Sequence, residues 1–290
     1  MLPLEADEKY MLTKSKSLMN QLTKIGRLLY GIGIAALGIH QLVIKDFRSE
    51  ILSPFPAWAH KYTVFPILTG IALIFAGTIT SGLFKIKFVS TKNIFLYLGF
   101  CFLVLVVTSH LPYILILSPD KASSLEVWFG AAEALAYSGG AFVMAGSFPG
   151  NSLNGDRKNF CTLSLEKFIP CGRIFYSVLM ILFGWSHFVF TDFVSTMVPK
   201  WLPAPMFWTY FFGVALISSG IAIIFKMSIR PIAFLLAIML FLFFIFFHVP
   251  DAIANPSTGG GNEIVRAIIA LLFCSIALVI SSTNDPQKQN

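Results

Sequence analysis

Charge is what this sequence has least of. Asp, Glu, Lys and Arg together make up 12% of its 290 residues, about half the share of a soluble domain. That shortage excludes an ordinary soluble fold. Cysteine is scarce as well: Cys101, Cys161, Cys171 and Cys274 are the four, and no two form a C-x-x-C pair. A disulfide framework or a metal centre of the zinc type is therefore not expected. No phosphate loop, H-E-x-x-H, G-x-S-x-G or dinucleotide fingerprint occurs, so none of the reactions those motifs announce is indicated. The first two dozen residues are polar and of mixed charge, with no apolar core before a small-residue cleavage site. The first apolar span is expected to serve as the insertion signal.

What remains is apolar. Hydrophobic residues are 56% of the chain and phenylalanine alone supplies 30. They come in blocks of roughly 20, the length of a helix that crosses a bilayer. These blocks define an integral membrane protein. The formal net charge of +7 reads as a topology signal at helix ends, not as a nucleic-acid surface.

One stretch is written twice. Residues 26–47 read GRLLYGIGIAALGIHQLVIKDF and residues 172–193 read GRIFYSVLMILFGWSHFVFTDF. Aligned without a gap they share Gly26/Gly172, Arg27/Arg173, Tyr30/Tyr176, Gly38/Gly184, Val43/Val189, Asp46/Asp192 and Phe47/Phe193. The copies continue in step. A Pro-Trp loop comes after each, His110-Leu111-Pro112 answers His248-Val249-Pro250, and Glu126 answers Glu263. The expected architecture is all-α: eight transmembrane helices formed by tandem duplication of a four-helix bundle. Expected spans are 25–44, 63–84, 93–117 and 125–148, then 172–190, 206–225, 229–249 and 263–281. The domains are then a cytoplasmic segment 1–24, a first repeat 25–148, a cytoplasmic linker 149–171, a second repeat 172–281 and a tail 282–290. Residues 11–22 would form at most a short interfacial helix.

Orientation is set by Lys and Arg in the short loops. About 15 of the 21 basic residues fall on the side that holds both termini. That side is expected to be cytoplasmic, in the cell inner membrane. Two four-span repeats then point the same way, related by an axis along the membrane normal.

This topology gathers the ionisable residues in the outer half. His40 and His187 end spans one and five, Asp46 and Asp192 come just after them, and His110 and His248 lie late in spans three and seven. Glu133, Glu263 and Arg266 lie early in spans four and eight, with Glu126 nearby. Ionisable groups at such depth usually face a bundle interior or a wet cavity, so an outward-facing polar pocket is expected in each repeat. Structural roles compete with this. The His-x-Pro pairs can satisfy a proline kink, the aspartates can cap the next segment of chain, Arg27 and Arg173 can snorkel, and Glu263 can pair with Arg266 one turn on. Glu133 resists such a role, and its counterpart is Ala270. Haem is disfavoured, because His40 and His187 are one residue out of phase between the copies, about 100° of helix rotation.

Gly-Arg opening span one, a His near its end, Asp-Phe, a Pro-Ala-Trp loop and His-Leu-Pro in span three together resemble the DoxX-like family of four-helix membrane proteins. The resemblance covers nearly the whole chain as two fused copies. It implies a four-helix bundle per half. Since the superfamily includes DoxD-type subunits associated with thiosulfate:quinone oxidoreductase, it also permits a link to membrane quinone or thiol redox chemistry, with quinone as the cofactor class. Three functional readings stand. One is a non-catalytic or partner-binding membrane subunit. Another is a protein binding a lipophilic small molecule, such as a quinone, in outer-leaflet His/Glu pockets. The third is a small-solute transporter. Expected partners are the lipid bilayer and either a membrane protein or that small ligand.

Overall fold

The computed structural model describes residues 2–84, 90–148 and 160–283. Expected features at Lys85, Lys87, most of the 149–171 linker and the end of the tail lie outside that range. Every regular element among the described residues is helical. Eight long helices carry the architecture: α1 (Leu2–Ile44), α2 (Val64–Thr80), α3 (Thr91–Leu105), α4 (Leu125–Gly146), α5 (Gly172–Val189), α6 (Pro205–Ile224), α7 (Ile229–Phe243) and α8 (Asn262–Ser282).

Six helical stretches are long and apolar enough to cross a membrane: Thr13–Ile44, Thr91–Leu117, Cys161–Val189, Pro205–Ile224, Ile229–Ala254 and Thr258–Ser282. α2 is apolar but shorter. α4 departs for a physical reason. It is buried almost continuously from Ala131 to Ala145, with Ala, Gly and Ser along that run. A helix at the centre of a bundle needs small side chains, whereas lipid-facing helices need apolar bulk.

Two expectations change here. The N-terminal segment is not a separate interfacial helix, because α1 runs unbroken for 43 residues from Leu2. No proline or glycine lies between Pro3 and Gly26 to stop it. α3 and α7 also do not end as plain α-helices. Each widens into a five-residue π turn, Val106–His110 and Phe244–His248, two residues before Pro112 and Pro250. Proline lacks the N–H that the helix ladder needs, and a π turn accommodates that loss locally.

The helices of the two halves interleave. α1 packs on α2 and on α8, α4 packs on α3 and on α5, α5 also packs on α6, and α7 on α8. α4 meets α8 near the centre, while α2 with α3 and α6 with α7 close the ring through narrower contacts. The first four helices thus do not form a bundle closed on itself. Two tyrosines tie the inner helices: Tyr30 Oη donates to the Tyr137 carbonyl at 2.6 Å and Tyr176 Oη to the Phe273 carbonyl at 3.0 Å, both fully buried.

The α1–α2 and α5–α6 pairs approach through glycine. A Cβ added at Gly38 would lie 2.6 Å from the Gly70 carbonyl oxygen, and one at Gly184 would lie 2.6 Å from that of Gly213. The same seam continues one turn pair away, where a Cβ on Gly77 would lie 2.5 Å from the Gly31 oxygen and one on Gly220 2.9 Å from the Ser177 oxygen. Small residues let the backbones come this close, where dispersion acts between the helices themselves.

Basic side chains close the end that holds both chain termini. Arg27 Nη2 donates to the Ser147 carbonyl at 3.3 Å and lies 4.0 Å over the Phe148 ring. Arg173 Nη1 donates to the Ile223 and Ile224 carbonyls at 2.9 and 3.2 Å. Each guanidinium satisfies orphan carbonyls at a helix C-terminus, where positive charge is favoured. Lys92 and Glu166 pair at 2.6 Å at this end.

Candidate functional site

The opposite end, formed by the α1–α2, α3–α4, α5–α6 and α7–α8 connections, holds a cavity of about 580 Å³. Both halves of the chain line it. His110, Tyr113, Glu126, Phe129 and Glu133 come from the first half, and Phe183, His187, Phe212, Phe247, His248, Arg266 and Phe273 from the second. The sequence predicts one pocket per repeat; the structure joins them in one shared space.

Two aromatic clusters wall it. Phe183 sits between Phe129 and Phe273 with ring centroids 5.7 and 6.1 Å away. Phe243 packs against Phe212 at 4.7 Å and Phe247 at 5.2 Å. Phe129 and Glu133 are four apart on α4, hence on one face. Glu133 is half-buried and, among the described residues, no donor is hydrogen-bonded to its carboxylate. Glu126 is exposed at the rim.

The remaining charges are matched in pairs. Arg266 Nη1 lies 2.7 Å from Glu263 Oε1. Arg48 lies 3.4 Å from both oxygens of Glu50 and also donates to Asn262 Oδ1. The imidazoles differ from one another. His187 Nδ1 is 2.7 Å from the Phe183 carbonyl, so it carries the proton and leaves Nε2 as an acceptor. His110 Nε2 reaches the Ile51 carbonyl at 3.4 Å, and His248 Nδ1 is buried with no hydrogen-bond partner among the described residues.

The first-half loop dips into the bundle over the cavity. Ile51, Leu52 and Ser53 are buried. Ser109 pins the loop: its hydroxyl is 2.8 Å from Ser53 Oγ, accepts the Ser53 N–H at 3.3 Å and donates to the Phe55 carbonyl. The position matching Ser109 in the second half is Phe247, which cannot make such bonds. There the chain instead forms the short helix Thr191–Thr196, and Phe193, Val194 and Met197 border the open side of the cavity.

Of the residues singled out from sequence, His110, Glu133, His187, His248 and Arg266 meet at this cavity. The other four stand elsewhere. His40 is buried against Gly261, where a glycine Cβ would sit 2.6 Å from its Nε2. The one-residue phase difference is what turns His187 inward and His40 toward the α7–α8 loop. Asp46 is exposed, accepting the Phe47 N–H at 2.7 Å and facing His60 Nδ1 at 3.1 Å. Asp192 is exposed in the first turn of its short helix. Glu263 holds Arg266 from outside the lining. Glu126, which the sequence places beside Glu133, belongs to the lining as well, and Glu50 is new to the set. The signal of Glu50 was weak, since it falls in the α1–α2 loop.

A second cavity, about 710 Å³, lies between α2 and α3. Its lining is almost wholly apolar, with Trp58, Phe65, Tyr97, Cys101 and Phe102. The geometry of the first cavity suits binding: large, aromatic-walled, with a few convergent polar groups. Among the described residues no group of three His, Cys, Asp or Glu side chains is placed to hold a metal ion.

A protein-family model described as "Domain of unknown function (DUF8561)" matches residues 176–281. No curated protein and no solved structure matches the chain.

Proposed function

We propose that this is a multi-pass inner-membrane protein, both termini cytoplasmic, that binds one lipophilic small molecule in the shared cavity. The observation that carries the reading is that single aromatic-walled space of about 580 Å³, within the size range of small-molecule sites. The carboxylate that α4 sends into it, Glu133, has no hydrogen-bond or ion-pair partner among the described residues. An unpaired carboxylate at helix depth is costly and marks a functional position.

We read the eight helices as two DoxX-like four-helix repeats. Support comes from the shared sequence of α1 and α5, the matching glycine seams, the paired Tyr–carbonyl bonds and the π turns ahead of Pro112 and Pro250. The exchange of α1–α8 for α5–α4 under a two-fold axis agrees with a parallel duplication. The distribution of Lys and Arg supports the orientation.

Mass spectrometry and a visible spectrum on gently solubilised protein test the reading. A stoichiometric small molecule is expected, lost or reduced in Glu133→Gln and His248→Ala variants that remain folded. A quinone among the extracts would assign redox work. An empty cavity with a co-purifying membrane protein would overturn ligand binding in favour of a partner-binding subunit.

A further inference from the structure

Resting on that ligand-binding reading, we propose that the cavity takes an organic cation with apolar substituents, its positive charge set against Glu133. Three observations carry it. The first is the charge balance. Arg266 is engaged by Glu263 at 2.7 Å and Arg48 by Glu50 at 3.4 Å. With each arginine paired to another carboxylate, Glu126 and Glu133 remain as lining carboxylates that form no ion pair among the described residues. They lie seven residues apart on α4, one at the rim and one about 10 Å deeper along the axis. A carboxylate at the mouth of a low-dielectric cleft raises the local concentration of cations, and the inner one receives them.

The second is the hydrogen-bonding sense of the wall. Ser186 Oγ donates to the Phe183 carbonyl at 2.7 Å, Thr209 Oγ1 to the Pro205 carbonyl at 3.0 Å and Ser53 Oγ to the Phe55 carbonyl at 3.1 Å. These hydroxyls use their protons on the backbone. His187 likewise uses its N–H on the Phe183 carbonyl, leaving Nε2 as an acceptor. Those four groups face the cavity with lone pairs that an ammonium can use, and the donors of the lining are confined to Arg266, Tyr113, Ser49 and the other two histidines.

The third is the aromatic lining. Ring faces attract desolvated cations, and Phe129 stands one turn from Glu133 on the same face of α4, at the edge of the Phe183–Phe273 cluster. Apolar substituents of the ligand then replace water against phenylalanine while the charge meets the carboxylate.

The test uses three aryl probes, the two ions near-identical in shape and the neutral one a phenyl smaller, on the protein in uncharged detergent, with partition into empty micelles subtracted. Tetraphenylphosphonium is the cation, tetraphenylborate the anion and triphenylphosphine oxide the neutral comparator. Saturable binding of the cation is expected, at least about tenfold tighter than either comparator, the step that one charge-assisted contact supplies. Glu133→Gln, which keeps the shape, is expected to weaken the cation about tenfold or more and leave the neutral probe unchanged. Phe129→Leu is a second variant on the same face, expected to weaken the cation severalfold. Equal binding of cation and neutral probe, or a Glu133→Gln variant that binds the cation as well as the parent, overturns the cation assignment while leaving a ligand site in place. Saturable binding of none of the three overturns both readings.

Discussion

Gly38→Ala is the sharpest probe of how the helix pairs are held. Its new methyl would lie 2.6 Å from the Gly70 oxygen, 2.9 Å from the Ile74 nitrogen and 2.9 Å from the Leu73 Cβ. Two of the three are backbone atoms of α2, so no side chain can swing away and α1 and α2 must part along the seam. Overpacking of this kind costs about 1–3 kcal/mol. Alanine returns about 0.5–1 kcal/mol through helix propensity. Taken at the middle of both ranges the net loss is about 1 kcal/mol, a fall of roughly 2 °C in the midpoint for a chain of this size. Gly184→Ala meets the same geometry against Gly213 and should cost the same. Gly99→Ala is the control: the three atoms nearest its methyl would all belong to the Phe142 ring, at 3.0–3.1 Å, and a ring can yield by a few tenths of an ångström. Thermal unfolding in detergent, monitored by thiol exposure at buried Cys274, reads all three. If the Gly38 and Gly184 variants melt with the parent, or if Gly99→Ala falls as far as they do, the close-approach reasoning fails.

Tyr176→Phe removes the 3.0 Å bond to the Phe273 carbonyl and should lower stability by about 1 kcal/mol in the same assay; an unchanged midpoint would refute the tie. Ser109→Ala removes three hydrogen bonds that seat the first-half loop, so cleavage within residues 45–62 by a mild protease should accelerate severalfold while α1–α8 packing persists. Thiol labelling tests orientation. Exposed Cys161 should react with a membrane-impermeant maleimide only from the cytoplasmic face, and an introduced Lys200→Cys only from the opposite face. Cys101, which borders the apolar α2–α3 cavity, should resist such a reagent from both sides.

The helices were legible because membrane spans announce themselves as apolar blocks, and α5, α6 and α8 start and stop within about a residue of the expected limits. The length of α1 was not, because polar Lys14, Lys16 and Lys24 read as an end when they form only an exposed continuation of the same helix. The π turns were hidden as well. His110 and Pro112 mark a disturbance, but the backbone chooses between kink and π turn by packing that no local pattern records. At the site, residues in step with the repeat were placed well: His110 and His248 occupy matching positions on the cavity wall. Residues just outside the spans were not. Asp46 and Asp192 are shared by both copies yet face solvent, since two or three residues beyond a helix end the chain direction depends on the loop. That pockets merge across the repeats depends on which helices become neighbours, a relation between distant residues that neither copy encodes alone.

The pairing of α1 with α8 and of α4 with α5 also sets an order of assembly. As the chain emerges, α4 can dock on α5 almost at once. α1, made well before, must wait for α8 before its second flank is covered. Until then its glycine seam can engage α2, but the groove that Leu272 and Val279 will fill at Gly33 and Gly26 stays open to lipid. Closure of the ring, and with it the complete wall of the cavity, therefore waits for α8, so a chain interrupted before α8 would present an open cleft where the folded protein has a site.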